Sequence, residues 1–156
     1  MSSSAHSSAL IEQISNYMNT QIPFQQLLGL RITEFASERS EVRFHWKNEL
    51  VGNTPQRILH GGVTATALDT VGGTVILASV IERLADSTPT EEIIQRMSRV
   101  GTIDLRVDYL RPGRGDEFIC TATIIRSGNK VAVARMEMHN QDGIMIAFGT
   151  GTYMVG

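Results

Sequence analysis

Cysteine is all but missing from this chain. Cys120 stands alone among 156 residues, which excludes a disulfide within the chain and a cysteine-built zinc cluster. The four histidines, His6, His45, His60 and His139, are scattered without metal-ligand spacing, so no metal or other cofactor is expected. Net charge is also scarce: 14 basic residues against 16 acidic ones leave a formal charge of −2. That balance provides no electrostatic attraction for nucleic acid or for an anionic membrane. The Ser-rich first ten residues have neither a basic start nor an apolar run. They read as a frayed end, flexible over residues 1–8, rather than as a signal peptide. Neither internal repeats nor linkers stand out, and residues 1–156 read as one domain, 42% hydrophobic, with room for a real core. Cytoplasm is the default expectation for the compartment.

What the chain does have is a long apolar run flanked by β-patterned segments. Residues 62–84 read as a helix apolar nearly all round, to be buried on most sides. Asp69 and several Thr and Gly residues within it suit a buried helix better than a membrane span. Gly72 and Gly73 in mid-helix cost roughly 1 kcal/mol each relative to Ala, so a strand, a partner helix or a ligand is expected to approach closely there. A short amphipathic helix is expected at residues 9–20, ended by Pro23, with an apolar connector at residues 24–30. Residues 31–47 read as extended, with Val42, Phe44 and Trp46 alternating against Arg43, His45 and Lys47, and residues 48–59 read as a loop. Thr88-Pro89-Thr90-Glu91 has the form of a capping box before a polar helix that runs to about Arg99. Residues 102–110 alternate, with Ile103, Leu105, Val107 and Tyr109 on one face. Strands at residues 117–126, 131–140 and 144–155 follow, joined by short turns. The assembly these elements favour is α+β: an antiparallel sheet with helices on one face, curling round the apolar helix.

The chemistry-bearing stretch is His60-Gly61-Gly62 with Asp69 in the helix behind it. Two glycines allow a tight turn and close approach of another molecule. The first N–H groups of the helix, with its dipole behind them, can hold a developing negative charge. An oxyanion site plus one carboxylate is the minimum equipment for acyl transfer to water. Gly61 and Asp69 are eight residues apart, roughly 12 Å along a helix, whereas reacting groups converge within about 3 Å. Two antiparallel copies resolve the conflict, so the spacing predicts a homodimer with two shared sites. A mid-helix carboxylate paired with an Arg or a hydroxyl for structural reasons is the competing account of Asp69.

Several segments together resemble the PaaI-like branch of the hotdog-fold acyl-CoA thioesterases. They are Pro23-Phe24 with Leu28-Gly29, His60-Gly61-Gly62 with Asp69, Asp104-Leu105 with Tyr109-Leu110-Arg111-Pro112, and Gly128-Asn129-Lys130. Residues 101–115 and 152–156 are similar to that branch's medium- and long-chain acyl-CoA thioesterases. The resemblance implies a curved sheet wrapped around a central helix, and hydrolysis of acyl-CoA to fatty acid and CoA. It also implies a homodimer that commonly pairs into a homotetramer. On it, Gly61 supplies the N–H that polarises the thioester carbonyl, and Asp69 acts from the opposite subunit as general base or nucleophile. Thr102 falls where some relatives hold the water with Ser. The loop before the histidine usually carries an amide, here Asn48 or Asn53, of which Asn53 is preferred. His60 fixes the turn, with Gly62 beside it against the substrate. Arg111, Arg114 and Lys130 lie in turns after strands and suit the phosphates of coenzyme A; ordinary solvated charge explains each equally well. A non-catalytic acyl-CoA binding module on the same fold is the alternative. A hydratase would need a second catalytic group, and none accompanies Asp69.

Overall fold

The computed structural model describes residues 5–156. The chain opens with α1 (Ala5–Gln21) and α2 (Pro23–Leu28), then forms β1 (Arg31–Phe35) and β2 (Ser40–His45). A short 3-10 turn at Asn48–Leu50 leads into β3 (Val51–Asn53) and β4 (Ile58–Leu59), and these into the long helix α3 (Gly61–Leu84). After α4 (Thr90–Met97) come β5 (Gly101–Tyr109), β6 (Glu117–Ser127), β7 (Val131–Asn140) and β8 (Met145–Met154). The long strands make one antiparallel sheet in the order β1-β2-β6-β7-β8-β5. β6, β7 and β8 form a meander, while β5 crosses to the far edge and, among the described residues, pairs only with β8.

α3 packs across this curved sheet, the hotdog arrangement implied by the resemblance. It buries Val63, Ala67, Leu68, Val71, Val75 and Ile76 against inward residues of the strands, among them Val42, Phe118, Met136 and Met138. Each fully buried side chain of this size contributes about 1.5–3 kcal/mol. Phe44 and Phe118, opposite each other across β2 and β6, stack at 5.0 Å. By length and composition α3 could cross a membrane, but 61% of its most apolar window is buried inside the fold, which makes it the core helix. Burial is not uniform around it. Ala65, Thr66, Asp69, Thr70, Gly73 and Leu77 form a half-buried stripe.

Several local expectations change. The first helix starts at Ala5 instead of residue 9 and buries Ser7, so residues 5–8 of the expected flexible end are helical; residues 1–4 lie outside the described part. The expected connector after Pro23 is a helix, with Pro23 in its first turn and Gly29 closing it at φ 75°, the placement each residue favours. Residues 31–47 are a hairpin rather than one extended run, turned at residues 36–39 where the Ser40 hydroxyl donates to the Ala36 carbonyl. The capping box does not form: Pro89 is itself the N-cap of α4, without a side-chain cap, and the helix stops at Met97. β5 carries a bulge between Thr102 and Asp104 and lies at the sheet edge, so Ile103 and Tyr109 are more than half exposed.

Of the two mid-helix glycines, only Gly72 is required by packing. A Cβ there would meet Tyr153 Cζ at 3.0 Å and Met136 Sδ at 3.1 Å, with the Tyr153 hydroxyl closer still. Gly151 of β8 holds the other side of the same ring, where a Cβ would lie 2.7 Å from Cε2. Tyr153 therefore sits in a slot between two glycines. At Gly73 a Cβ would meet nothing nearer than Tyr153 Cε1 at 3.9 Å. Gly72→Ala should thus destabilise the protein by about 1–3 kcal/mol through overpacking. Gly73→Ala should be neutral or stabilise by up to about 1 kcal/mol. Urea unfolding of the two variants measures the contrast, and equal effects would contradict this packing.

A second determinant of stability is Glu41 on β2. Its side chain is 11% exposed and accepts from Arg43 Nε at 2.6 Å, Arg39 at 2.8 Å and Thr33 Oγ1 at 2.8 Å. Burial alone would push its pKa up; the hydrogen bonds from Arg43, Arg39 and Thr33 together outweigh that and hold it at about 2. A depressed carboxylate adds stability above its unfolded value and loses it as pH falls through the folded one. Folding stability should therefore drop between pH 4.5 and about 2. Glu41→Gln should flatten that part of the profile and cost about 1–3 kcal/mol at neutral pH, as read from unfolding midpoints against pH.

Candidate active site

β4 delivers the chain to the start of α3. Leu59 N–H bonds to the Gly113 carbonyl at 3.1 Å and His60 N–H to the Leu50 carbonyl at 2.8 Å, which fixes the entry. His60 is the N-cap, in extended backbone conformation, and its Nδ1 accepts from Gly62 N–H at 2.8 Å. A Cβ on Gly62 would lie 2.9 Å from that nitrogen, so the imidazole folds over the turn because Gly62 has no side chain. The His60 carbonyl takes the N–H groups of Val63 and Thr64 at 3.0 and 3.4 Å. Of the donors at this helix start, the N–H of Gly61 is left without an acceptor among the described residues. The Gly61 carbonyl, for its part, accepts from the Tyr109 hydroxyl at 2.6 Å. Gly61 and Tyr109 line a cleft of about 340 Å³ together with Leu59, Arg111 and Ile146.

Asp69 lies two turns further along α3, on its half-buried stripe, in a different cleft of about 180 Å³. Thr102 Oγ1 donates to its Oδ1 at 2.9 Å. The Tyr153 hydroxyl, in its glycine slot, lies 3.2 Å from both Oδ1 and the Asp69 main-chain oxygen. Burial, and after it the Asp69 charge, push the Tyr153 phenol up in pKa, so it stays a donor. Thr102 and Tyr153 face each other across the β5–β8 ladder, and both hold one carboxylate oxygen. Oδ2 takes no bond among the described residues. Gln25 of α2 also lines this cleft, and its Oε1 is buried without a hydrogen-bond partner among the described residues.

One chain thus keeps the Gly61 N–H and the Asp69 carboxylate apart, in different clefts. Thr102 and Asp69 come together; His60 and Gly62 meet at the turn that opens the helix, and Gly61 lines the other cleft. Asn53 belongs to neither: it is exposed, and its Oδ1 accepts from Gln56 N–H at 3.2 Å in a tight turn. Arg111 donates to the Met145 carbonyl at 2.9 Å and Arg114 to the Gln56 carbonyl at 2.7 Å. Both lie at the Gly61 end of the sheet, where Arg57 joins Arg114 on a neighbouring cleft. Lys130, exposed in the β6–β7 turn, is at the opposite end, beside the Gly101–Met154 pair. Ten residues of β7 separate the two ends, roughly 30 Å of strand. Tyr153, Tyr109, Gln25 and Arg57 escaped the reading of the sequence. For Tyr153 a signal existed: Gly149 and Gly151 precede it on the same inward face of β8, a mark of something bulky approaching.

A sequence model of the thioesterase superfamily matches residues 56–147, from the turn before His60 to the start of β8. The medium/long-chain acyl-CoA thioesterase YigI of Salmonella typhimurium is 50% identical over 135 residues, 86% of this chain and 86% of its own length. The protein of that name from Escherichia coli K12 is 49% identical over the same 86% of each chain. The crystal structure of a Shewanella oneidensis protein related to the thioesterase superfamily superposes with a TM-score of 0.94 at 49% identity, covering 99% of this chain and 100% of that one. With more than half of its residues inside the family model and relatives about 50% identical over 86% of its length, this chain is a member of the thioesterase superfamily, an enzyme that hydrolyses thioesters.

Proposed function

We propose that the protein hydrolyses medium- to long-chain acyl-CoA at two sites shared between the copies of a homodimer. The observation that carries this reading is the behaviour of one strand. β5 holds Asp69 through Thr102 near its start and Gly61 through Tyr109 at its end, and its outer edge pairs with nothing among the described residues. A nine-residue unpaired edge with Ile103 and Tyr109 exposed invites a second strand. A second copy of β5, antiparallel across a two-fold axis between Leu105 and Arg106, sets Thr102 of each copy opposite Tyr109 of the other. Each Asp69 is then carried toward the Gly61 of its twin, and each Lys130 toward the other copy's Arg57, Arg111 and Arg114. The substrate class comes from the named relatives, which act on medium- and long-chain acyl-CoA, and four basic residues at one site suit the phosphates of coenzyme A.

The chemistry follows from the groups. Sulfur donates poorly into a carbonyl, so a thioester is already electrophilic. The Gly61 N–H, backed by the helix dipole, stabilises the oxyanion that forms. Asp69 Oδ2 takes a proton from the attacking water, or itself attacks to give an anhydride that water then opens. In both routes the new C–O bond replaces the C–S bond, and the thiolate leaves to be protonated. Thr102 and Tyr153 hold Oδ1, so the carboxylate keeps its orientation while Oδ2 works. Gln25, with an unsatisfied buried oxygen in this cleft, is well placed to position the water.

Asp69→Asn keeps the shape and removes the base or nucleophile. Its kcat on acyl-CoA should fall by about a thousandfold with the fold and dimer intact; turnover within a few-fold of the unaltered chain would reject the assignment. Gly61→Pro removes the oxyanion donor at the one helical position that accepts proline, and kcat should drop by roughly 100- to 1,000-fold. The two inactive variants should rescue each other. Unfolded together and refolded as mixed dimers, half of them heterodimers with one intact site each, they should regain about a quarter of the original activity. No recovery on mixing would show that each chain completes its own site.

A further inference from the structure

We infer that the acyl tail runs from the Asp69 cleft over Gly73 into an apolar groove between α1 and α4, and that this groove sets the chain length accepted. The inference rests on the thioesterase reading. The groove, of about 540 Å³, is lined by Leu10, Ile14, Tyr17, Ile94 and other residues that carry no charge. Its volume is in the range of sites that bury an extended small ligand. Met18, Leu77 and Met97 line both this groove and the Asp69 cleft, so the two spaces adjoin. Two of the three shared side chains are methionines, which repack readily around an apolar guest.

Gly73 marks the junction. It lines the Asp69 cleft, one helical turn before Leu77. A Cβ at this position would make only ordinary van der Waals contact, its nearest neighbour being Tyr153 Cε1 at 3.9 Å. Packing therefore does not explain this glycine, and an open path for a ligand does. At the outer end, Tyr17 is 57% exposed and Ile94 50% exposed, apolar surface that an alkyl chain would cover. The larger groove on the other side of α1, about 920 Å³, is lined by Glu12, Glu34, Glu38, Arg39 and Glu82 and would not accept one. Each methylene that finds apolar cover adds roughly fourfold to binding, so a groove of this kind discriminates by length.

The test compares thiol release from short-, medium- and long-chain acyl-CoA by the full-length unaltered enzyme, Ile94→Trp and Gly73→Leu. Ile94 is half exposed and a Cβ on Gly73 meets no clash, and thermal melts check that both variants fold. Ile94→Ala serves as a second groove variant should Ile94→Trp fail to fold. The ratio of long-chain to short-chain kcat/KM should fall at least tenfold in Ile94→Trp and Gly73→Leu, and the preferred length should shorten. An unchanged ratio in folded variants overturns the groove while the thioesterase reading stands. So does dissociation of the oligomer by Ile94→Trp, which would make the groove an interface between copies. An unaltered enzyme that releases no thiol from any acyl-CoA overturns both.

Discussion

A carboxylate half-sunk in an apolar helix has to be met by donors, and the rest of this protein is arranged around the two that meet Asp69. Leaving such a group unpaired costs several kcal/mol, so its partners cannot be incidental. One is Thr102, on the edge strand. The other is Tyr153, a phenol 1% exposed in the core. Bringing a ring that large to within hydrogen-bond reach of α3 requires helix and strand to give up side chains at the same level. Gly72 and Gly151 do so. Gly149, one pleat earlier, lets β8 lie close to β5, since a Cβ there would come 2.7 Å from the Arg106 carbonyl. Helix position, strand register and carboxylate orientation are therefore one packing solution.

The start of α3 shows the same economy. A helix leaves its first N–H groups unpaired, and here the His60 ring and carbonyl take those of Gly62, Val63 and Thr64. The helix could have been capped completely, and it is not. The remaining N–H, that of Gly61, lies where Tyr109 has drawn the Gly61 carbonyl toward β5, so the peptide flanking the donor is held on both sides. In the proposed reaction, a donor fixed before substrate arrives needs no reorganisation, which is what makes an oxyanion site effective.

Much of this architecture was legible from local pattern. α3 announces itself by an apolar run, and the β6–β7–β8 meander by alternation broken at polar turns. The β1–β2 hairpin was hidden because residues 36–39, Ala-Ser-Glu-Arg, contain none of the glycine or proline that usually marks a turn; a tertiary hydrogen bond from Ser40 closes it instead. The apparent capping box failed because Pro89, extended at ψ 145°, occupies the N-cap that Thr88 was expected to fill. The site was half legible for a physical reason. Gly61, Gly62 and Asp69 lie on one helix, so their spacing speaks directly. Tyr153 is 84 residues from Asp69, and no local period connects them. Asn53 matched by composition, but a short polar side chain in a tight turn satisfies the turn's own backbone first.

The paired glycines of α3 separate two demands that sequence alone merges. Each lowers helix stability by about the same amount, and the fold recovers that loss only at Gly72, through the Tyr153 ring and the carboxylate it orients. At Gly73 a Cβ would meet only Tyr153 Cε1, at 3.9 Å, among the described residues. On the proposed path of the acyl tail, substrate binding offsets the cost of this glycine. The same logic applies to β5. An unpaired edge, two half-sites roughly 12 Å apart on one helix and basic residues split between opposite ends of the sheet are three separate defects in a lone chain. A single operation, the antiparallel pairing of β5 with its own copy, removes all three. In the proposed dimer the two-fold axis is part of the catalytic design, and a lone chain is half of an enzyme.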